Sequence, residues 1–187
     1  MSKTILLETP RLRLRSFEPA DLEAFAAYRN DEAVARYQGW NTPYTLEQAQ
    51  AFLEEMQRVP AGTPGSWYQV VIERKTDAAL LGDCAFKLSS DARQAEIGCT
   101  LAQLYWGSGY AAEAVHRLLA YLFGELGVHR VYANCDVENL AAKRTLEQLG
   151  MRREAHFVEN LWFKGRWSSE YWYAMLSSEW VQAQNGS

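Results

Sequence analysis

Positive charge is what this sequence has least to spare. Nineteen Lys and Arg stand against 23 Asp and Glu, a net charge of −4, so the chain lacks the basic footprint that nucleic-acid backbones demand. Cysteine is scarce as well. Cys84, Cys99 and Cys135 are odd in number and far apart, which fits neither a disulfide framework nor a zinc spacing, and no metal is expected. They read as small apolar core residues of a reduced, cytoplasmic protein. Long apolar runs are missing too. None approaches the ~20 residues that cross a bilayer, and the apolar run between Met1 and Glu8 is too short for a secretory signal. Nucleic acid and membrane are therefore not expected partners. Of the three histidines, His116 falls on the polar side of the main helix and His129 precedes a strand, both surface positions, and His156 has no Ser or Cys companion to suggest a nucleophilic triad.

What is present suffices for a full core. At 48% hydrophobic over 187 residues, the chain reads as one domain spanning 1–187. Alternation from Arg11 to Arg15 predicts a first strand. Glu18-Pro19-Ala20-Asp21 opens a helix, with proline in its first turn. Thr45 and Gln48 have capping-box spacing ahead of Ala49, Phe52, Leu53 and Met56, which recur at helical intervals. Residues 60–65 form a loop. Strands at 67–73, 80–88 and 94–101 follow, joined by turns short enough for an antiparallel meander. In the third, Glu96, Gly98 and Thr100 share one face, and Ala95, Ile97, Cys99 and Leu101 the other. An apolar helical stripe from Val115 to Leu126, closed at Gly127, leads to a strand at 131–136. Asn139 caps a second helix closed by Gly150. Strands near 157–163 and 170–176 flank a Lys164-Gly165-Arg166 turn. The strand at 94–101, the helix after Gly109 and the strand at 131–136 make a βαβ unit, so those strands should be parallel. The fold class is α+β: a mixed, mostly antiparallel sheet of seven strands flanked by helices.

The richest stretch is Tyr105-Trp106-Gly107-Ser108-Gly109-Tyr110-Ala111-Ala112-Glu113. A strand, a turn with two glycines and a helix N-terminus together make a phosphate cradle, where outward N–H groups and the helix dipole favour an anion. Gly107-x-Gly109-x-x-Ala112 formally fits the dinucleotide fingerprint, and Asp136 ends the next strand as a ribose-binding acid would. That reading implies a nicotinamide enzyme. Against it, the turn follows an antiparallel meander, and residues 113–187 do not suffice for two mononucleotide-binding halves.

The order of elements resembles the GNAT superfamily of acetyl-CoA-dependent N-acyltransferases, and within it the RimJ/RimL-like branch of ribosomal-protein N-terminal acetyltransferases. The resemblance rests on Glu8-Thr9-Pro10-Arg11-Leu12-Arg13-Leu14-Arg15, Ala95-Glu96-Ile97-Gly98, Tyr105 to Ala111, Asn139-Leu140-Ala141-Ala142, Leu149-Gly150-Met151, Lys164-Gly165-Arg166-Trp167 and Tyr171 to Leu176. It implies that CoA pyrophosphate lies on Trp106, Gly107, Ser108, Gly109, Tyr110, Ala111 and Ala112. It implies too that pantetheine pairs with the backbone of Cys99, Thr100 and Leu101, in a splay between that strand and its parallel neighbour, near Asn139. Three positions depart from the pattern. Trp106 stands where the broad superfamily has Gln or Arg. Ala142 and Leu146 stand where other members carry a hydroxyl to protonate the leaving thiolate. A CoA-type thiol leaves with little help, so acetyl transfer is still expected; a catalytically silent acyl-CoA-binding protein is the alternative.

Amine acetylation needs a neutral nucleophile, hence a proton acceptor, and donors for the oxyanion. Glu96, beside the implied cofactor strand, is the first candidate carboxylate. Asn134 and Asp136, on one face of the neighbouring strand, are candidates to orient the amine or a water. Lys143 and Arg144, early in the Asn139 helix, are candidates for the 3′-phosphate of CoA. Aromatics make up 13% of the chain. Trp40, Tyr44, Trp67, Phe86 and Trp162 are expected to line the acceptor pocket, where their rings would suit an amine or a cation. The expected acceptor is a small-molecule amine or a protein N-terminus, with a homodimer left open.

Overall fold

The computed structural model describes residues 5–185. Two short strands, β1 (Leu6–Glu8) and β2 (Leu12–Arg15), are followed by a 3-10 turn at Pro19–Asp21 and helices α1 (Leu22–Arg29), α2 (Glu32–Ala35) and α3 (Leu46–Arg58). The meander is β3 (Trp67–Arg74), β4 (Leu80–Leu88) and β5 (Gln94–Leu101). Helix α4 (Tyr110–Ala120) runs on as a π turn at Tyr121–Glu125 into β6 (Arg130–Asp136), then α5 (Leu140–Gln148), β7 (Arg152–Phe163), β8 (Arg166–Leu176) and α6 (Ser177–Asn185). All strands join one eight-stranded sheet in the order β1-β2-β3-β4-β5-β6-β8-β7.

The sheet thus has eight strands where seven were expected. The addition is β1, whose three residues are too few to show a period. The helix expected from Glu18 begins as the 3-10 turn and becomes α-helical only at Leu22. The last two strands start earlier than read, because their alternation is broken: β7 slips register against β8 at Arg153/Ala155 and again at Phe157/Leu161. The capping box at α3 forms as read, with Gln48 N–H donating to Thr45 Oγ1 at 3.2 Å and Thr45 N–H to Gln48 Oε1 at 2.8 Å.

The sheet divides two cores. On one face α4, α5 and α6 bury Leu14, Ile72, Cys84, Phe86, Ile97, Leu118, Leu122 and Tyr173. On the other, α1 and α3 bury Phe17, Phe25, Tyr28, Tyr44 and Leu53 against Val71. Strand alternation assigns Asp83 (β4), Glu96 and Thr100 (β5), Asn134 and Asp136 (β6) and Glu170 and Trp172 (β8) to this second face. Cys84 and Cys135 are buried as expected, while Cys99, directly opposite Cys84, is half-buried.

β5 and β6 are parallel, as the βαβ reading required, but pair only at Gln94↔Arg130, Ala95↔Val131 and Glu96↔Tyr132. Beyond that the strands part. Ile97–Leu101 keeps its other neighbour, β4, and Ala133–Asp136 keeps β8. The result is a wedge-shaped gap in the middle of the sheet, open toward the N-terminus of α4.

Candidate active site

One side of the gap leads to the glycine turn. Gly107 and Gly109 sit at φ +74° and +78°, a left-handed backbone that a side chain would strain. A Cβ on Gly107 would meet open space, and one on Gly109 only Arg11 Nη2 at 3.6 Å. The glycines therefore serve the turn's path and leave room above it. As first-turn residues of α4, Tyr110, Ala111 and Ala112 have N–H groups with no intrahelical acceptor. Trp106 Nε1 donates to Leu101 O at 2.8 Å, fastening the turn to the end of β5. The donor set suits a diphosphate, the gap suits an amide-bearing arm, and Cys99, Thr100 and Leu101 line it beyond the pairing point. Asn139 caps α5 by accepting from Ala142 N at 3.1 Å. Acetyl-CoA fits these residues.

The cation in contact with the turn is Arg11, apart from Lys143 and Arg144, the candidates for the 3′-phosphate. Lys143 Nζ lies 5.7 Å from the Tyr171 ring centre and Arg144 is exposed; neither has a contact to the turn. Arg11 stands there instead, with Nη1 donating to Ser108 O at 3.1 Å and its guanidinium 4.4 Å from the Tyr110 ring centre. Glu113, in the first turn of α4, would repel an anion. Its carboxylate takes Thr9 Oγ1 at 2.5 Å, Arg11 N at 3.1 Å and Arg11 Nε at 2.6 Å. Burial pushes its pKa up, but these three donors outweigh burial and hold it below the usual carboxylate value. Arg74 flanks the turn at 5.3 Å from the Tyr105 ring centre. The alternating run 11–15 displayed Arg11 plainly, but its partner lies a hundred residues away.

Carboxylates collect on the other side. Glu96 sits where β5 and β6 still pair, 3.3 Å from Lys87 Nζ and 3.5 Å from the Tyr132 hydroxyl, which donates to it. Asp136 accepts from Glu138 N at 2.8 Å and pairs with Arg166 at 3.2 Å. Asn134 Nδ2 donates to Glu170 Oε1 at 2.9 Å. Deeper in, Tyr28 OH donates to Asp83, and Arg29 approaches it at 3.9 Å. Burial pushes the Asp83 carboxyl and the Tyr28 hydroxyl above their ordinary values.

The expected aromatic pocket is largely corrected. Phe86 lies on the opposite face, 1% exposed in the α4 core. Trp40 and Tyr44 hold a cation, but it is the chain's own. Arg29 lies 3.9 Å from the Trp40 ring centre, 4.1 Å from Phe25, 5.0 Å from Phe52 and 5.2 Å from Tyr44, so that cage is filled. Trp162 pairs in register with Trp167, at 5.5 Å, and alternation turns both to the cofactor face. Trp67 is exposed under Lys87, 4.9 Å from its ring centre. The hairpin nonetheless reaches the acceptor side through Lys164, whose Nζ donates to Ala35 O and Trp40 O at 2.6 Å each. What the sequence reading missed is a second aromatic row: Tyr132 stacked on Trp172 at 5.7 Å, with Phe157 edge-on to Trp172 at 5.9 Å.

A splayed parallel strand pair over a glycine turn defines an acyl-CoA-dependent acetyltransferase fold. Residues 11–152 match the family model described as an acetyltransferase (GNAT) domain, and the chain belongs to that family. It is 32% identical over 174 residues to the uncharacterized N-acetyltransferase YnaD of Bacillus subtilis, covering 93% of this chain and 98% of that one. Over 89 residues it is 32% identical to the spermidine N(1)-acetyltransferase of Vibrio cholerae, 48% of this chain and 51% of that one. A GNAT-family acetyltransferase structure from Bacillus anthracis superposes with TM-score 0.84 at 30% identity, covering 94% of this chain and all of that one. The spermidine N-acetyltransferase of Vibrio cholerae in complex with CoA and spermine shares the fold at TM-score 0.80 and 23% identity, over 92% of this chain and 99% of that one. The chain is an N-acetyltransferase.

Proposed function

We propose that the acceptor is a primary amine, on a small molecule or a protein N-terminus, acetylated by direct transfer from acetyl-CoA in a ternary complex, within a RimJ/RimL-like branch. The carrying observation is the gap between β5 and β6, with the glycine turn and α4 N-terminus at one mouth and a face of carboxylates at the other. The turn would hold the diphosphate, and the freed backbone of β5 would hold the pantetheine arm. Glu96, Asn134 and Asp136 form the polar surround of the acceptor, and acidity on this face suits an incoming ammonium.

The silent-binder reading keeps one observation in its favour. Ala142 is half-buried and Leu146 buried, so neither supplies a hydroxyl, and Thr145 beside them donates to Ala141 O at 3.0 Å. Thiol release from acetyl-CoA over a panel of amines and peptides separates the two. Release that depends on added amine is expected. Stoichiometric acetyl-CoA binding without release under any amine would establish the silent binder.

A further inference from the structure

Among the carboxylates on the acceptor face, one differs in its company. Lys87 neutralises Glu96, Arg166 pairs with both Asp136 and Glu138, Arg130 pairs with Glu154, and Asp83 is covered by Tyr28 and Arg29. Glu170 has no ion pair among the described residues. Two neutral amides hold it, Asn134 Nδ2 on Oε1 at 2.9 Å and Asn160 Nδ2 on Oε2 at 2.6 Å. It stands directly opposite Asp136 in the β6–β8 register, one strand from the gap. A carboxylate aimed by amides but not neutralised is an ammonium site in waiting.

A second observation is independent of charge. Ser168 and Trp172, two residues to either side of Glu170 on the same face of β8, both carry buried polar atoms without a hydrogen-bond partner: Ser168 Oγ, in a residue 3% exposed, and Trp172 Nε1. A buried N–H left unpaired costs on the order of 1–3 kcal/mol, and such groups are rare enough in native proteins that each calls for a reason, a catalytic role or a bound water or ion among them. The indole N–H donates only, so its partner must bring an acceptor atom.

We propose that Glu170 binds the acceptor's ammonium and takes its proton, and that Trp172 Nε1 donates to an oxygen of the same molecule. The acceptor is then an amine bearing a hydroxyl or carbonyl a few bonds from its nitrogen, not a bare alkylamine. This rests on the acetyltransferase reading above. In the step it describes, the ammonium gives one proton to Glu170 and the freed nitrogen pair bonds to the thioester carbonyl carbon. The carbon–sulfur bond then breaks, the thiolate takes the second nitrogen proton, and Glu170 releases its proton to water. The groups around Glu170 are Asp136 and Asn134 from β6, Phe157 and Asn160 from β7, and Ser168 and Trp172 on its own strand. Arg166, the cation on the same strand, is engaged at 3.2 Å by Asp136 and 3.0 Å by Glu138.

Two variants and one binding measurement test this. Glu170→Gln is expected to lower kcat/KM for glycinamide about a hundredfold, the scale of general-base contributions, and to flatten the acidic limb of the pH profile with acetyl-CoA affinity unchanged. Trp172→Phe is expected to raise KM several-fold for glycinamide and ethanolamine but not for n-propylamine. Independently of turnover, glycinamide titrated onto the CoA-bound protein should shift the Trp172 indole N–H resonance, and Glu170→Gln should abolish the shift. Should no amine release thiol, a Glu170-dependent shift still supports the binding site while the transfer reading fails. An unmoved indole resonance at saturating glycinamide, or wild-type kinetics in a folded Glu170→Gln protein, overturns the proposal.

Discussion

Two glycines of this chain are required for different reasons, and substitution separates them. Gly109 caps α4 in the left-handed region with only the Arg11 guanidinium at ordinary contact distance, so alanine there costs backbone strain of about 1–2 kcal/mol. A Cβ on Gly82 would lie 2.0 Å from Thr100 O and 2.8 Å from Leu101 Cα, both backbone, so β4 and β5 would have to part. Gly82→Ala is expected to destabilise by about 3 kcal/mol, the upper end of overpacking costs. Gly109→Ala is expected to cost less stability but to weaken acetyl-CoA binding more. Thermal melts beside calorimetric titration of acetyl-CoA check both. The Gly109 requirement was legible, because a glycine after a strand and before an amphipathic stripe has few explanations. Gly82 was not, because close approach between strands leaves no mark in either strand's own sequence. The same blindness hid Arg29. Trp40 and Tyr44 looked like a pocket wall, and only packing shows that an arginine 11 residues before Trp40, and in line with it through Trp40 Nε1→Arg29 O at 3.0 Å, already occupies them.

Elements read well where one face met one core. The stripe on α4 and the capping box of α3 carried their own period, and the βαβ unit dictated its parallel pair. The hairpin strands read less well because both slips in β7 shift the alternation, and with it the side to which Trp162 points. Contacts between distant elements were beyond reach, above all the clasp of Thr9 and Arg11 on Glu113, which joins the β1–β2 connection to α4. That clasp predicts a pH dependence. A carboxylate held below its ordinary value of 4.5 stabilises the fold above that pH and ceases to as pH falls through its lowered value. Glu113→Gln should therefore melt below wild type at pH 7, with the gap closing toward pH 3. A gap that widens on acidification would contradict the clasp.

Across the molecule, the acceptor side is assembled from parts far apart in the chain. Lys164, at the tip of the β7–β8 hairpin, holds the carbonyls of Ala35 and Trp40, while Tyr37 and Arg36 reach Glu138 at 3.4 and 3.5 Å. Burial lowers the Lys164 pKa, which is consistent with an ammonium drawn partly out of water. Lys164→Met should free the hairpin tip and residues 36–41 together. Amide exchange should quicken in both segments at once, with the melting of the two cores little changed. Exchange that quickens in the hairpin alone would show that the two are not joined.

The outermost strand carries one more implication. β7 ends the sheet, and along it lie Phe157 at 44%, Val158 at 70% and Leu161 at 41% exposure. An apolar strand with free hydrogen-bonding groups is a template on which identical chains stack. Between Phe157 and Leu161, however, the ladder is interrupted, Glu159 turns to φ +47°, and its N–H is taken by Ser169 Oγ at 2.8 Å. The irregularity that obscured the strand's period thus also interrupts the edge on which a second copy would pair, so straightening that kink of three residues is expected to promote association in concentrated solutions.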